Sequence, residues 1–410
     1  MRHALIVGAG PAGAALAYLL ARRNLQVTLL ERQTDFEREF RGEGLMPSGI
    51  DAFRQMGLGA ELDAVPHARL VSGELYRNRR LLFRFSFTPE QQQRFSIRFI
   101  DQPALLEMLV AQASRFPSFR FERGALVQDL IKENGRVAGV RLYSPDHQPH
   151  ELRADFIIGA DGRGSTLRRV AGLQQERFPQ AFDVVWCKVP LPDCFENGTL
   201  IRVYIGHGHF AFMFPAADGR LQLAWIIHKG TFGDLHRQGM DQWMEEVAGH
   251  VDPELSDHFR RHRHEVTQPF LLNVVCDHLD RWTAPGLLLI GDAAHPMSPV
   301  GAQGINIALR DALVAANHLI PVLTGDPSPD HLDAAARRIQ DERLPEVIAV
   351  QQLQQGPPRV LFQTAWWSGI ALTVAPWLFR LGLPQRFLRP TLLRFTQGVT
   401  NVTLNNEPRP

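Results

Sequence analysis

Long apolar runs, paired cysteines and a surplus of either charge are all missing from this 410-residue chain. Its three cysteines, Cys187, Cys194 and Cys276, are odd in number and never stand at C-x-x-C spacing. That excludes a disulfide framework and a zinc knuckle, and it fits a reducing compartment. Forty-four basic residues against forty-three acidic ones leave a formal charge of +1, so nucleic acid is not expected as a partner. The basic clusters at 77–80 and 260–263 read as solvated faces. The longest late apolar stretch, 366–379, contains Pro376 and falls short of the ~20 residues a spanning helix needs, so no transmembrane segment is expected. The first apolar run starts at Ala4 and reads as a strand, so a signal peptide is not expected and the location reads as cytoplasmic.

What is present supports a large core. Hydrophobic residues make up 45% and charged ones 21%, and the length exceeds one ordinary compact core, which implies two intertwined domains or one large one. The organising stretch is 4–31, ALIVGAGPAGAALAYLLARRNLQVTLLE. An apolar strand at 4–7 ends on Gly8, Gly10 and Gly13 at G-x-G-x-x-G spacing, an apolar helix pattern covers 12–22, and a second β-rich run at 26–30 stops on Glu31. Gly8 allows the tight turn, Gly10 leaves room for a pyrophosphate, and Gly13 lets helix and strand pack closely, while the helix N-terminus attracts anions. Glu31 can accept from a ribose hydroxyl. The motif implies dinucleotide binding without separating FAD from NAD. Gly57 and Gly59 lack the strand and helix context of a second such site.

Further along, a helix is expected near 47–57, a hairpin at 70–76 and 81–87, and a helix at 102–114 with Leu105, Leu106, Leu109 and Ala113 on one stripe. Strands follow at 120–121, 125–132 and 136–143, the last two joined by Asn134-Gly135, and a buried one at 154–158. Residues 181–228 are β-rich with alternating polarity, 240–250 and 253–262 read as helices, and 270–277 and 286–290 as strands. Helices are then expected at 303–323 and 333–354, with a C-terminal helical region broken by Pro357, Pro358, Pro376, Pro384 and Pro390.

Three separated stretches resemble the fingerprints of the class A flavin monooxygenases, the para-hydroxybenzoate hydroxylase-like family. They are Gly8-Ala9-Gly10-Pro11-Ala12-Gly13 with Glu31, the run 157–168 around Asp161-Gly162, and the run 289–306 around Gly291-Asp292. Together they span the chain to about residue 310, in the family's order. The resemblance implies an α/β fold: a Rossmann-like FAD-binding domain (1–69, 98–180 and 281–330) with an inserted β-sheet substrate domain (70–97 and 181–280) and C-terminal helices (331–410). It implies FAD as cofactor and NAD(P)H as electron donor. A flavin C4a-hydroperoxide would then hydroxylate or epoxidise an apolar small molecule with O₂, with a homodimer left open.

Residue by residue, the resemblance assigns FAD contacts to Gly8, Gly10, Ala12, Gly13, Glu31, Arg32, Arg41, Gln102, Asp161, Asp292, Gly301, Gly304, Ile305 and Asn306, and catalysis beside the flavin ring to the Pro299–Gly301 loop. The resemblance also places Asp161 and Arg168 in contact with FAD and with the nicotinamide docking surface. Simpler roles stand beside several of these. Asp292 can be a helix N-cap, Asp161 a turn residue, Arg41 a surface arginine, and Gln102 a helix start. His295 reads as structural. His207, His209 and His228 read as packed or solvated residues near the substrate sheet, and Tyr204, Phe210, Phe212, Met213 and Trp225 as a mixture of core and pocket wall. Trp366, Trp367, Ile370, Leu372 and Trp377, with the twenty-five phenylalanines, hint at an extended apolar substrate such as a polyketide, terpenoid, alkaloid or quinone-like ring, and read more simply as helices packed on the core or on a partner subunit. The fold also hosts flavin reductases of isoprenoid double bonds, flavin halogenases and non-enzymatic escort proteins, and these remain as alternatives.

Overall fold

The computed structural model describes residues 2–37, 44–144, 146–174, 176–177, 180–195, 200–206, 210–325, 328–362 and 393–405. Arg41, His207, His209 and the apolar stretch 366–379 lie outside them.

Strand His3–Val7 sits inside a six-stranded sheet, between Phe156–Gly159 and Gln26–Glu31, with parallel pairing on both sides. Phe119–Arg123 continues this sheet beyond Gln26–Glu31, and Leu287–Leu289 and Thr283–Ala284 continue it on the other side. Parallel strands covered on both faces require unbroken apolar side chains. Accordingly Leu5, Ile6, Ile157, Ile158 and Leu288 are fully buried. Helices Pro11–Ala21 and Gln303–Thr324 pack against each other beside the sheet, and the long helix Pro329–Phe362 lies along the second of these.

A second, seven-stranded sheet runs in the order Phe270–Leu272, Phe182–Pro190, Arg220–His228, Phe210–Pro215, Leu200–Ile205, Ser72–Arg77 and Arg80–Ser86. The expected hairpin is its edge, turning at Asn78 and Arg79, which both take positive φ (48° and 67°) as a two-residue turn requires. Ser72–Arg77 pairs in parallel with Leu200–Ile205, far away in sequence. Helices Met240–His250 and Pro253–Arg261 cover one face, burying Met213, Leu223 and Trp225 against Trp243 and Phe259. The other face looks toward the first sheet.

Two elements differ from expectation. The strand expected at 270–277 ends at Leu272, because Asp183 captures the Val274 N–H (2.9 Å) and the chain then pairs Asp277–His278 with Glu176–Arg177. The helix expected at 333–354 extends over Pro329–Phe362, so the break at Pro357 and Pro358 is not found. Among the described residues one helix, Val300–Thr324, is long and apolar enough to cross a membrane, and 67% of its apolar window is already buried inside the protein as core.

Candidate active site

A single cavity of about 580 Å³ runs from the glycine turn at Gly8 to the free face of the seven-stranded sheet. Gly8, Gly10, Ala12, Glu31, Arg32 and Asp161 line one end. Gln102, Asp292, Pro299, Gly301, Gly304 and Ile305 line it further along. Gly13 and Asn306 do not.

The glycine turn follows from close backbone packing. Gly8 has φ +102°, and a Cβ there would meet the Ala160 carbonyl oxygen at 2.3 Å. A Cβ on Gly13 would lie 2.0 Å from the Gly8 oxygen, so this residue packs the helix onto its strand rather than facing a ligand. Gly10 differs: a Cβ there would find nothing within 4 Å, and the same holds for Gly164 and Gly304. Three stretches of bare backbone thus face open space.

Helix Pro11–Ala21 begins at Gly10 and helix Gln303–Thr324 at Ala302, neither with a side-chain cap. Both uncapped ends open on the cavity, and such ends favour negative charge. Before the second helix, Gly301 (φ 73°) and Ala302 (φ 51°) are consecutive left-handed residues. For an alanine that conformation costs about 1–3 kcal/mol, a strain that clusters at functional sites.

The carboxylates have partners within the chain. Glu31 is buried and accepts from Ala9 N–H (2.9 Å) and Gln33 N–H (3.1 Å). Asp161 accepts from Ser165 Oγ (2.6 Å) and Leu167 N–H (3.0 Å) and also borders the cavity. Burial raises its carboxyl above the ordinary value against the pull of those bonds. Asp292 pairs with Arg163, whose Nε stands 3.0 Å from Oδ2 and whose Nη2 donates to the Met297 carbonyl (3.3 Å). The remaining nitrogen, Arg163 Nη1, is buried without a partner at the cavity's edge.

Two residues expected at the site stand outside the lining of the cavity. Asn306 is fully buried and stitches the loops together, accepting from Met46 N–H (2.8 Å) and donating to the Gly44 and Ala302 carbonyls. Arg168 does not line the cavity. It donates to the Ala293 and Arg163 carbonyls, bracing the loop that carries Asp292. Sequence reasoning missed Arg163, although it directly follows Asp161-Gly162, and it missed Phe99. That ring stacks on Phe214 at 4.1 Å and lies in the wall with Trp186, Phe210 and Phe212. Tyr204, Met213 and Trp225 face the opposite side as core, and His228 is exposed at a strand end. Burial pushes the Cys187 thiol up to about 12 and the Cys276 thiol to about 11, which makes neither a nucleophile.

Behind the Gly291–Asp292 turn lies a buried ionic network. Asp311 accepts from Gly291 N–H (3.0 Å), lies 2.8 Å from His295 Nε2 and takes a bond from Arg343 Nε (2.8 Å). Arg343 also pairs with Glu346, which holds Arg310 (2.8 and 3.0 Å). Burial alone would raise the Glu346 carboxyl, but Arg343 and Arg310 pull it from 4.5 down to about 2. A carboxylate depressed on folding stabilises above its unfolded value and loses that contribution as pH falls toward the folded one. Melting temperature is therefore expected to decline between about pH 4.5 and 2, and less steeply in Glu346→Gln, in a calorimetric pH series.

Comparison with known proteins extends this geometry. Residues 1–351 match the model of the family described as FAD binding domain. The chain is 33% identical over 367 residues to 6-methylpretetramide 4-monooxygenase of Streptomyces rimosus, covering 88% of this chain and 84% of that protein. It is 29% identical over 379 residues to kynurenine 3-monooxygenase of Stenotrophomonas maltophilia, with 86% and 78% covered. Its fold is similar to that of p-nitrophenol 4-monooxygenase from Pseudomonas putida, with a TM-score of 0.81 at 16% identity over 98% of this chain and 100% of that one.

Proposed function

The chain belongs to the FAD-binding-domain family of class A flavin monooxygenases and is an FAD- and NAD(P)H-dependent oxidoreductase; from that premise we propose that it oxygenates a flat, uncharged aromatic or polycyclic substrate held against the phenylalanine wall of its seven-stranded sheet. One observation carries the reading. A single cavity joins bare backbone and uncapped helix ends at one side to Trp186, Phe210, Phe212, Phe214 and Ile226 at the other.

The residues fit an elongated dinucleotide. When bound and reduced, FAD would supply the electrons that activate O₂, and O₂ would supply the oxygen atom to be transferred. The N-terminus of helix Pro11–Ala21 would face the pyrophosphate, and Glu31, held by Ala9 N–H, would accept from the ribose. Asp292, oriented by Arg163, would accept from the hydroxyls of the ribityl chain, and Arg163 Nη1 would find a partner in the cofactor. The backbone of 299–304, including Pro299 and Gly301, would stabilise negative charge on the ring. The aromatic wall would exclude water and hold the reacting carbon in place. On this reading the six-stranded sheet with its helices is the cofactor domain, the seven-stranded sheet the substrate domain, and 331–410 a C-terminal region whose long helix packs on the cofactor domain.

The test is NAD(P)H oxidation stimulated by substrate, with O₂ uptake and a product heavier by one oxygen atom. 6-Methylpretetramide and kynurenine make an informative pair, because a wall of apolar rings offers nothing to the charges of an amino acid. Turnover of kynurenine in preference to uncharged rings would overturn the substrate reading, and reduction of a double bond without O₂ uptake would favour the reductase alternative. Asp292→Ala is expected to purify largely as apoprotein, measured by the ratio of flavin to protein absorbance. Full occupancy would remove its assigned role.

A further inference from the structure

The last described segment, 393–405, runs as a strap over the helices behind the cavity. At its far end Gln55 donates to the Val402 carbonyl (3.0 Å) and accepts from Leu404 N–H (2.6 Å), while Asn317 donates to the Thr403 carbonyl (2.8 Å). In the middle, Glu346 accepts from Val399 and Thr400 N–H (2.9 and 3.1 Å), and Arg310 donates to the Thr400 carbonyl (2.6 Å). Gly398 makes this approach feasible. Its φ is +90°, and a Cβ there would lie 2.9 Å from both Arg310 Cζ and Glu346 Oε1.

At the near end the strap meets the cavity loop. Gln303 Nε2 donates to the Phe395 carbonyl and to the Gly301 carbonyl, each at 2.7 Å. A Cβ on Gly301 would stand 2.8 Å from the Phe395 ring. The loop so clamped contains Gly301, which takes the left-handed conformation freely, and Ala302, for which that conformation persists only where the surroundings enforce it.

We propose that the strap is a working part of the flavin site: docked on the Arg310–Glu346 pair, it holds the 299–304 loop in its strained form through Phe395, with Gln303 as the positioning residue. The C-terminal segment thereby controls how tightly the cofactor is held, although neither Phe395 nor Gly398 borders the cavity. The inference rests on the flavin lying beside that loop, as proposed above.

The experiment compares full-length Gly398→Val with the parent by hydrogen exchange, flavin fluorescence titration and visible circular dichroism of the bound flavin. The expected result is faster exchange in both 396–404 and 299–304, FAD affinity weakened about tenfold or more, and an altered flavin band. Asn317→Ala, which loosens only the far end, should leave all three as in the parent. A strap that exchanges freely while the loop, the affinity and the band stay unchanged would overturn the proposal. Should Gly398→Val not fold, or keep its strap seated, Gln303→Met cuts the same link from the loop side and is judged by the loop exchange, affinity and band: change supports the clamp, and no change removes it. Gly304→Val separates the premises. Normal FAD binding in that variant would dismiss the flavin's placement, whereas lost binding there with intact binding in the strap variants would dismiss the strap alone.

Discussion

Gly10→Val is expected to lose FAD while keeping its fold. The loss should reach about 100-fold in affinity, or about 3 kcal/mol, because the new methyls would occupy backbone space that a pyrophosphate needs. Nothing lies within 4 Å of the position a Cβ would take, so the apoprotein has no clash to relieve and should melt as the parent does. Gly13→Ala should behave oppositely. Its Cβ would stand 2.0 Å from the Gly8 oxygen and 3.2 Å from Ala160 Cβ, forcing the helix off the strand at a cost of about 1–3 kcal/mol even without cofactor. Fluorescence titration and apoprotein melting distinguish the two. Retention of FAD by Gly10→Val would remove the dinucleotide from this end of the cavity.

Arg343→Met is expected to be the most destabilising single change outside the cavity. Arg343 is fully buried between Asp311 and Glu346, and its loss leaves two carboxylates in the interior with Arg310 and His295 as their remaining side-chain partners beside a few backbone N–H groups. Breaking a buried pair from one side costs about 3–5 kcal/mol. Arg343→Lys should fall between, since an ammonium cannot fork to both acids. Because Asp311 also holds Gly291 N–H, the next residue to Asp292, the damage should extend to flavin retention. Urea unfolding measures the first effect, and an unchanged midpoint in Arg343→Met would show that the network carries no net stability.

The glycine turn was legible because part of its requirement is local: the positive φ at Gly8 and the contact of Gly13 with the Gly8 oxygen lie within a few residues of chain, whereas the Ala160 backbone that also excludes a Cβ at Gly8 comes from a distant strand end. The buried parallel strands were legible for a similar reason, since a sheet covered on both faces leaves an unbroken apolar run. The substrate wall was not. Alternation along Phe210–Pro215 places Phe210, Phe212 and Phe214 on one face and Ala211 and Met213 on the other, and both faces are apolar. Only the packing of helices Met240–His250 and Pro253–Arg261 against one of them leaves the other free.

Sequence alone therefore determined the dinucleotide-binding turn and the α/β class with a second, sheet-based domain, because spacing and side-chain size act over short stretches, while the three flavin fingerprints were legible through their resemblance to a family. Tertiary structure decided which polar residues face the cavity and which became braces. Asn306 and Arg168 went to loop stitching, Arg163 took over Asp292, and the strap from Phe395 to Leu404 was drawn onto Glu346 and Gln55. Those outcomes depend on hydrogen bonds between residues up to 349 positions apart, and a partner at that distance is chosen by how the whole chain packs, not by any pattern written near the residue itself.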